Sequence, residues 1–139
     1  MLKRLGSSMR SKNVLIAEDN RDGAESLRYV VEAWGHRAAV AYDGQAAVEL
    51  AGLFRPDVVV MDINMPVMDG YKAARLLRDA HEQVLLIAMT GAPMVETPHL
   101  ARDAGFHHHF SKPVELDDLR RLLDSETLDH LLPGFRMRD

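Results

Sequence analysis

The feature that most constrains this sequence is an apolar run that ends in a single acid. Val58 to Met61 has the length and β-branched content of a strand buried on both faces, because a strand with one wet face would alternate polar and apolar residues. Asp62 follows directly, so it lies at the carboxyl end of this strand. Ligands of open α/β sheets bind at the edge formed by the carboxyl ends of the strands, which makes Asp62 a candidate for a binding or catalytic role. Asn64 and the pair Asp69-Gly70 then indicate a loop.

Strand-like and helix-like segments alternate on both sides of this run. The predicted strands are 14–17, 37–42, 58–61, 84–89 and 106–110, and the predicted helices are 21–34, 45–54, 71–80, 98–104 and 115–123. Such alternation predicts parallel strand pairing with right-handed crossovers. We therefore expect an α/β fold, in which helices cover both faces of a five-stranded sheet to form a three-layer sandwich.

Composition excludes several classes of function. The chain has no cysteine, which rules out disulfides and thiolate chemistry, and its formal net charge is −4. Lys and Arg are scattered along the sequence, so no basic face indicates nucleic-acid binding. No apolar run approaches the roughly 20 residues of a membrane span, and the start lacks the apolar core of a signal peptide. We expect a cytoplasmic protein that binds neither nucleic acid nor membrane.

The 139 residues correspond to one domain. Residues 1–12, rich in Gly, Ser and basic side chains, are expected to form a disordered leader, and the folded domain is expected to span 13–124. The tail 125–139 contains Leu128, Leu131 and Leu132, which would share one face of a short helix. A tail of this size is far smaller than an effector domain, so output is expected to pass through a separate partner. The sequence leaves open whether this is a stand-alone protein or a piece of a longer one.

Polar side chains stand at the carboxyl ends of four of the five predicted strands. They are Glu18 and Asp19, Asp62, Thr90, and Lys112. Crowded carboxylates resist ionising unless a cation compensates them, and Mg²⁺ prefers the oxygen ligands that carboxylates, waters and a backbone carbonyl near Asn64 would supply. Lys112 adds a fixed positive charge and Thr90 a hydroxyl donor. Together these groups indicate a site for an incoming phosphoryl group.

Motifs in a fixed order between residues 13 and 124 carry a family resemblance. They are Glu18-Asp19, the strand end Asp62, the Met-Pro-Val-Met-Asp-Gly loop of residues 65–70, Thr90-Gly91 and Lys112-Pro113. In this order and at these separations they resemble the receiver domain of bacterial two-component response regulators. Segments 19–22, 35–36, 43–44 and 104–108 are similar to receivers attached to hybrid sensor histidine kinases.

The resemblance implies a flavodoxin-like fold with strand order 2-1-3-4-5 and a signalling function without classical enzyme activity. It implies that Asp62 accepts a phosphoryl group from the histidine of a sensor kinase or phosphotransfer protein, and that a downstream protein of unknown identity receives the signal. The implied roles of the other residues are Mg²⁺ binding by Glu18, Asp19, Asp62 and the Asn64 carbonyl, and binding of phosphoryl oxygens by Thr90 and Lys112.

Two positions depart from the usual receiver pattern. Glu18 stands where the family usually has Asp, and we expect its longer side chain still to serve the metal. His109, three residues before Lys112, replaces a Tyr or Phe that changes rotamer on activation in many receivers, and we expect His109 to respond to phosphorylation. In addition, the proline in Thr97-Pro98 is tolerated only in the first helical turn. Thr97 is therefore expected to be the N-cap of the fourth helix, after a long loop over 91–96.

Two other functions and one further metal site remain to be considered from the residues. A pseudo-receiver would keep the fold as an interaction domain without phosphorylation. A haloacid-dehalogenase-like phosphatase also uses a strand-end Asp, but it expects a second acid two residues later, where this chain has Asn64. His107 and His109 would share one face of a strand and reach one metal ion, although no further ligand is evident.

Overall fold

The computed structural model describes residues 11–91 and 97–124, in which strands and helices alternate along the chain. The strands are β1 (Asn13–Ala17), β2 (Arg37–Ala41), β3 (Val58–Asp62), β4 (Leu85–Thr90) and β5 (His108–Ser111). The helices are α1 (Arg21–Ala33), α2 (Gly44–Phe54), α3 (Gly70–Ala80), α4 (Thr97–Ala104) and α5 (Leu116–Asp124). No helix in these two ranges is long and apolar enough to cross a lipid bilayer.

The five strands form one parallel sheet in the order β2-β1-β3-β4-β5. Strands β1, β3 and β4 lie inside the sheet, and every residue of β3 and β4 is buried, as continuous apolar runs require. All carboxyl ends meet at one edge, where Asp62 pairs with Met89 and Thr90 with Ser111. The predicted topology is confirmed.

Side chains alternate between the two faces of the sheet and pack into two separate cores. One face packs against α2 and α3 through Leu15, Val59, Met61, Leu77 and Leu86. The other face packs against α1 and α5, and its core includes Ile16, Val31, Val60, Ile87 and Leu119. The helices therefore cover both faces of the sheet, which confirms the three-layer sandwich.

Three of the helices begin with a polar N-cap residue, at the edge formed by the carboxyl ends of the strands. The side chains of Asn20, Asp43 and Asp69 each accept a hydrogen bond from the backbone N–H three residues on, at 2.7 to 2.9 Å. Such caps satisfy donors that have no partner inside the helix. Gly35 ends the α1 turn with a φ of 100°, a conformation that glycine adopts without steric cost.

Several element boundaries differ from the sequence predictions, most clearly in β5. The predicted strand 106–110 begins only at His108, because the His107 ring takes the place of a backbone carbonyl as the acceptor for the Leu86 N–H. His107 Nδ1 accepts the Leu86 N–H at 3.0 Å, while the His107 N–H donates to the Leu86 carbonyl at 2.8 Å. Helix α4 begins at Thr97, one residue earlier than the predicted N-cap requires. Residues 92–96 of the predicted loop lie outside the described residues.

The boundary of the predicted leader also needs correction. Lys12, assigned to that leader, is only 7% exposed. Its ammonium donates to the Leu123 carbonyl at the end of α5, and its backbone N–H donates to His36 Nδ1 at 3.1 Å. Lys12 therefore belongs to the folded domain, because it contacts both the end of α5 and the residue that precedes β2. Residues 1–10 and 125–139, which include the predicted tail helix, lie outside the described residues.

Candidate functional site

Three carboxylates meet at the edge of the sheet where the strands end. Glu18 and Asp19 follow β1, and Asp62 ends the neighbouring strand β3. One oxygen from each lies within 4.8 Å of the others. Glu18 and Asp62 are each 5% exposed, whereas Asp19 is exposed. The structure thus brings together the three acids that the sequence placed at this edge.

Lys112 links two of these acids. Its Nζ donates to Glu18 Oε1 at 2.5 Å and to Asp62 Oδ2 at 2.9 Å. Burial of the ammonium opposes its charged form, but hydrogen bonds and charge from Glu18 and Asp62 outweigh burial and hold the pKa of Lys112 above its usual value. Lys112 therefore stays positively charged at neutral pH and offsets part of the negative charge of the cluster.

Backbone donors orient the carboxylates. The Asn64 N–H donates to Asp62 Oδ1 at 3.0 Å, and the Asn20 N–H donates to Glu18 Oε2 at 3.0 Å. Glu18 and Asp62 are thus each held through both carboxylate oxygens, one by Lys112 and one by a backbone N–H. The Asn64 side chain is exposed, so its backbone is the part of this residue that contacts the site.

Thr90 and His109 lie on the same face of the sheet. Thr90 ends β4, is 2% exposed, and accepts the Lys112 N–H on its backbone carbonyl at 2.8 Å. His109 pairs with Ala88, and because alternate residues of a strand share a face, Ala88, Thr90 and His109 point the same way. His109 is 3% exposed and lies within β5, below the edge on which the acids stand. The structure therefore places Thr90 next to Lys112, whereas His109 lies two residues further from the carboxyl ends of the strands.

The donor set of the cluster fits a hard divalent cation. Within residues 11–91 and 97–124, Glu18, Asp19 and Asp62 form the group of three or more potential ligands close enough to hold one ion. All three donors are oxygens, as Mg²⁺ and Ca²⁺ prefer. His107 already accepts a backbone hydrogen bond from Leu86, so the geometry gives no support to the histidine metal site considered from the sequence.

A mainly apolar cleft of about 600 Å³ opens beside the cluster. It lies between α1 and the segment from Lys112 to the start of α5. Glu18 and Lys112 line its polar end, and its walls include Leu27, Val30 and Leu116. Leu116 remains 41% exposed, so the charged cluster adjoins an accessible apolar surface.

Two glycines bring backbone unusually close to the site, which the sequence analysis did not anticipate. A Cβ on Gly70 would lie 2.7 Å from Ile63 Cα and 2.8 Å from the Asp62 carbonyl oxygen, and a Cβ on Gly44 would lie 2.1 Å from the Met68 carbonyl oxygen. The only sequence signal was the Asp-Gly pair at the start of each helix, which is equally typical of a simple turn.

Comparison with known proteins agrees with this geometry. A family model described as the response regulator receiver domain matches residues 14–124. The response regulator MprA of Mycolicibacterium vanbaalenii is 33% identical over 120 residues, which cover 84% of this chain and 52% of the relative. MprA of Mycobacterium ulcerans is 32% identical over 109 residues, covering 78% and 47%. The chain spans about half the length of these relatives.

Solved structures show the same architecture. The receiver domain of Ssk1 from Saccharomyces cerevisiae, crystallised with the histidine phosphotransfer signalling protein Ypd1, is 25% identical with a TM-score of 0.78, covering 91% of this chain and 95% of that one. The signal receiver domain of a DNA-binding response regulator from Colwellia psychrerythraea is 28% identical with a TM-score of 0.75, covering 80% and 94%.

Receiver domains are signalling domains that generally bind Mg²⁺ at an acidic pocket and interact with histidine kinases or phosphotransfer proteins. This chain has the matching fold, the acidic pocket of Glu18, Asp19 and Asp62, and a family match across the folded domain. It belongs to the response regulator receiver domains.

Proposed function

We propose that this domain accepts a phosphoryl group on Asp62 from the histidine of a sensor kinase or phosphotransfer protein, and then changes its affinity for a downstream protein. The observation that carries the proposal is the contact of Lys112 Nζ with both Asp62 and Glu18, at 2.9 and 2.5 Å, in a cluster that also contains Asp19. A nearly buried carboxylate beside a fixed cation and close to further acids suits a phosphoryl acceptor that works with a divalent ion.

The transfer requires an ionised Asp62. As the phosphorus–nitrogen bond of the donor breaks, its electron pair stays on the imidazole nitrogen, and a carboxylate oxygen of Asp62 forms the new bond to phosphorus. Glu18, Asp19, Asp62 and the Asn64 carbonyl would hold Mg²⁺, which when bound offsets charge on the transferred group. The Asn64 N–H and Lys112 keep the Asp62 carboxylate oriented before transfer.

The new phosphoryl group changes the charge of the site. It adds about two negative charges and three acceptor oxygens near neutral pH. Thr90 and Lys112 supply the donors that would bind these oxygens, and His109, on the same face as Thr90, would respond when Thr90 moves. A phosphoryl group shifts the conformational equilibrium only by its different affinity for the two states, so His109 must have distinct environments in them.

The apolar cleft beside the cluster supports a protein donor. Its walls, which include Leu27, Val30 and Leu116, adjoin Glu18 and Lys112, so a helix that docks there would place its histidine near Asp62. The Ssk1 receiver was crystallised with a phosphotransfer protein, and we propose a donor of the same kind here. We further propose that the folded signalling unit runs from residue 12 to residue 124 and that its output is a protein rather than nucleic acid, since the net charge is −4.

The test is direct phosphorylation with acetyl phosphate and Mg²⁺, followed by intact mass measurement. The wild type should gain the mass of one phosphoryl group, and Asp62→Asn should gain none, because an amide is a far poorer nucleophile. Asp57→Asn is the matched control, since Asp57 lies just before the same strand at the opposite edge of the sheet, and it should label like the wild type. A folded wild type that never gains this mass would instead support the pseudo-receiver.

A further inference from the structure

The β3–α3 loop, residues 63–69, presses against the first residue of α2. A Cβ on Gly44 would lie 2.1 Å from the Met68 carbonyl oxygen and 3.0 Å from both the Met68 carbonyl carbon and Cβ. Side-chain Cβ atoms essentially never lie within 3.0 Å of another heavy atom, so any larger side chain would push the Met68 carbonyl away by about 1 Å. Gly44 does not occupy the left-handed region. Glycine is therefore required here by the close approach and not by the local backbone conformation.

The part of the loop at this contact is strained. Val67 has a φ of 69° and is 82% exposed, and such a φ is a genuine outlier for a β-branched residue. The Met68 N–H donates to the Pro66 carbonyl at 2.7 Å, which closes the rare three-residue turn known as a γ-turn. Strained turns persist only where the surrounding structure holds them in place, and the close contact between Gly44 and the Met68 carbonyl is part of that structure.

Both ends of the loop are fixed by hydrogen bonds, so a displacement of Met68 would have to be accommodated by backbone changes within the loop. The Gly70 N–H donates to the Ile63 carbonyl at 2.8 Å, and the Ile63 N–H donates to the Met89 carbonyl at 3.0 Å. The remaining freedom lies in residues 64–69, where Pro66 has a fixed φ and Val67 is already strained. Asn64 is in this short segment, and its N–H contacts Asp62 Oδ1.

We propose that Gly44 is a positioning residue for the cation site. Because it has no side chain, the Met68 carbonyl can pack against it, and this contact holds the Asn64 backbone where its carbonyl binds the ion. The inference rests on the proposed function, because it assumes that the Asn64 carbonyl is a Mg²⁺ ligand. Residues that orient metal ligands without touching the metal change affinity by about 10- to 100-fold when mutated. Gly44 thus acts through the loop and touches neither the ion nor the phosphoryl group.

The experiment compares Gly44→Ala with Gly52→Ala by calorimetric titration with Mg²⁺ and Ca²⁺. Gly52 is the matched control because it lies in the same helix and a Cβ there meets nothing within 4 Å. Gly44→Ala should bind Mg²⁺ about tenfold more weakly than the wild type, and Gly52→Ala should bind it equally. Mg²⁺ demands near-ideal octahedral geometry whereas Ca²⁺ tolerates distortion, so the preference for Mg²⁺ over Ca²⁺ should also fall in Gly44→Ala alone. A merely structural role would lower stability without changing this preference.

Each result decides a separate point. A folded Gly44→Ala with wild-type Mg²⁺ affinity would overturn the role of Gly44 and leave the proposed function intact. A wild type that binds no Mg²⁺ would overturn the metal part of the proposed function itself. If Gly44→Ala does not fold, Val67→Gly, which relieves the strained φ, becomes the reference for the double variant Val67→Gly/Gly44→Ala. Equal Mg²⁺ affinity in these two proteins would likewise overturn the proposal.

Discussion

Lys12→Met should destabilise the domain although Lys12 precedes the first strand. The Lys12 ammonium donates to the carbonyl of Leu123, a fully buried residue near the end of α5. The last four carbonyls of a helix have no donor inside the helix, so this acceptor depends on partners such as Lys12. Methionine preserves most of the buried stem and removes the charge and the donor.

The expected cost follows from that contact. A hydrogen bond that involves a charged group contributes about 1.5 to 3 kcal/mol, and because methionine also avoids the desolvation of a buried ammonium, we expect a loss near the lower end, about 2 kcal/mol. For a domain of this size each kcal/mol lowers the melting temperature by about 4 °C. Lys12→Met should therefore melt about 8 °C below the wild type.

The assay is urea and thermal unfolding followed by the fluorescence of Trp34, the sole tryptophan, which is partly buried and packs against the core beneath α1 and α5. Lys72→Met is the control because Lys72 is exposed on α3, and its free energy of unfolding should change by less than about 0.5 kcal/mol. Equal stability of the two variants would show that the Lys12 contact contributes nothing. Phosphorylation of Asp62 should be unaffected by Lys12→Met, since Lys12 lies at the opposite edge of the sheet.

Three further predictions concern ionisable groups. Asp19→Asn should weaken Mg²⁺ binding and slow labelling by acetyl phosphate, because one of the three clustered carboxylates is lost; calorimetry that gives an unchanged affinity would exclude Asp19 as a ligand. Burial, reinforced by the Lys12 charge and only partly opposed by Asp124, lowers the pKa of His36 below its ordinary 6.5. The unfolded chain therefore binds a proton at His36 more readily than the folded protein does. The stability that depends on a neutral His36 is complete above about pH 6.5 and is lost as the pH falls below it. Urea titrations at several pH values should show a shallower loss on acidification in His36→Asn than in the wild type. Finally, beryllofluoride, which mimics the phosphoryl group, should shift the imidazole resonances of His109, and identical signals and titration in both states would rule out a switch at this residue.

Local patterns were sufficient to predict the sheet and the acid cluster. Continuous apolar runs define buried strands, and in a parallel sheet the residue after each run necessarily lies at the shared edge, which is why Glu18, Asp62 and Lys112 meet. The contacts that sequence reasoning missed join distant residues through the backbone. The Lys12 side chain reaches a carbonyl 111 positions away, and no residue pattern encodes such a pairing.

Three other features escaped prediction because local residue preferences do not encode them. Val67 adopts a φ that β-branched residues avoid, so only the surrounding loop can impose it. The His107 ring replaces a backbone acceptor in the sheet. A side chain that accepts a hydrogen bond in this way shortens β5, and the hydrophobic pattern of the sequence does not indicate it. The close approach at Gly44 depends on where the β3–α3 loop passes, which is a property of the tertiary fold.

The contact of Lys12 with the end of α5 has a consequence for how the domain can be handled. The polypeptide enters the described fold at Lys12 and leaves it beside Asp124, and these points lie together at the amino ends of the strands, away from the acid cluster. Folds whose ends adjoin tolerate circular permutation and insertion into other proteins. A surface tether or a fluorescent protein joined at either point would therefore lie at the opposite end of the sheet from the acid cluster and leave that cluster accessible.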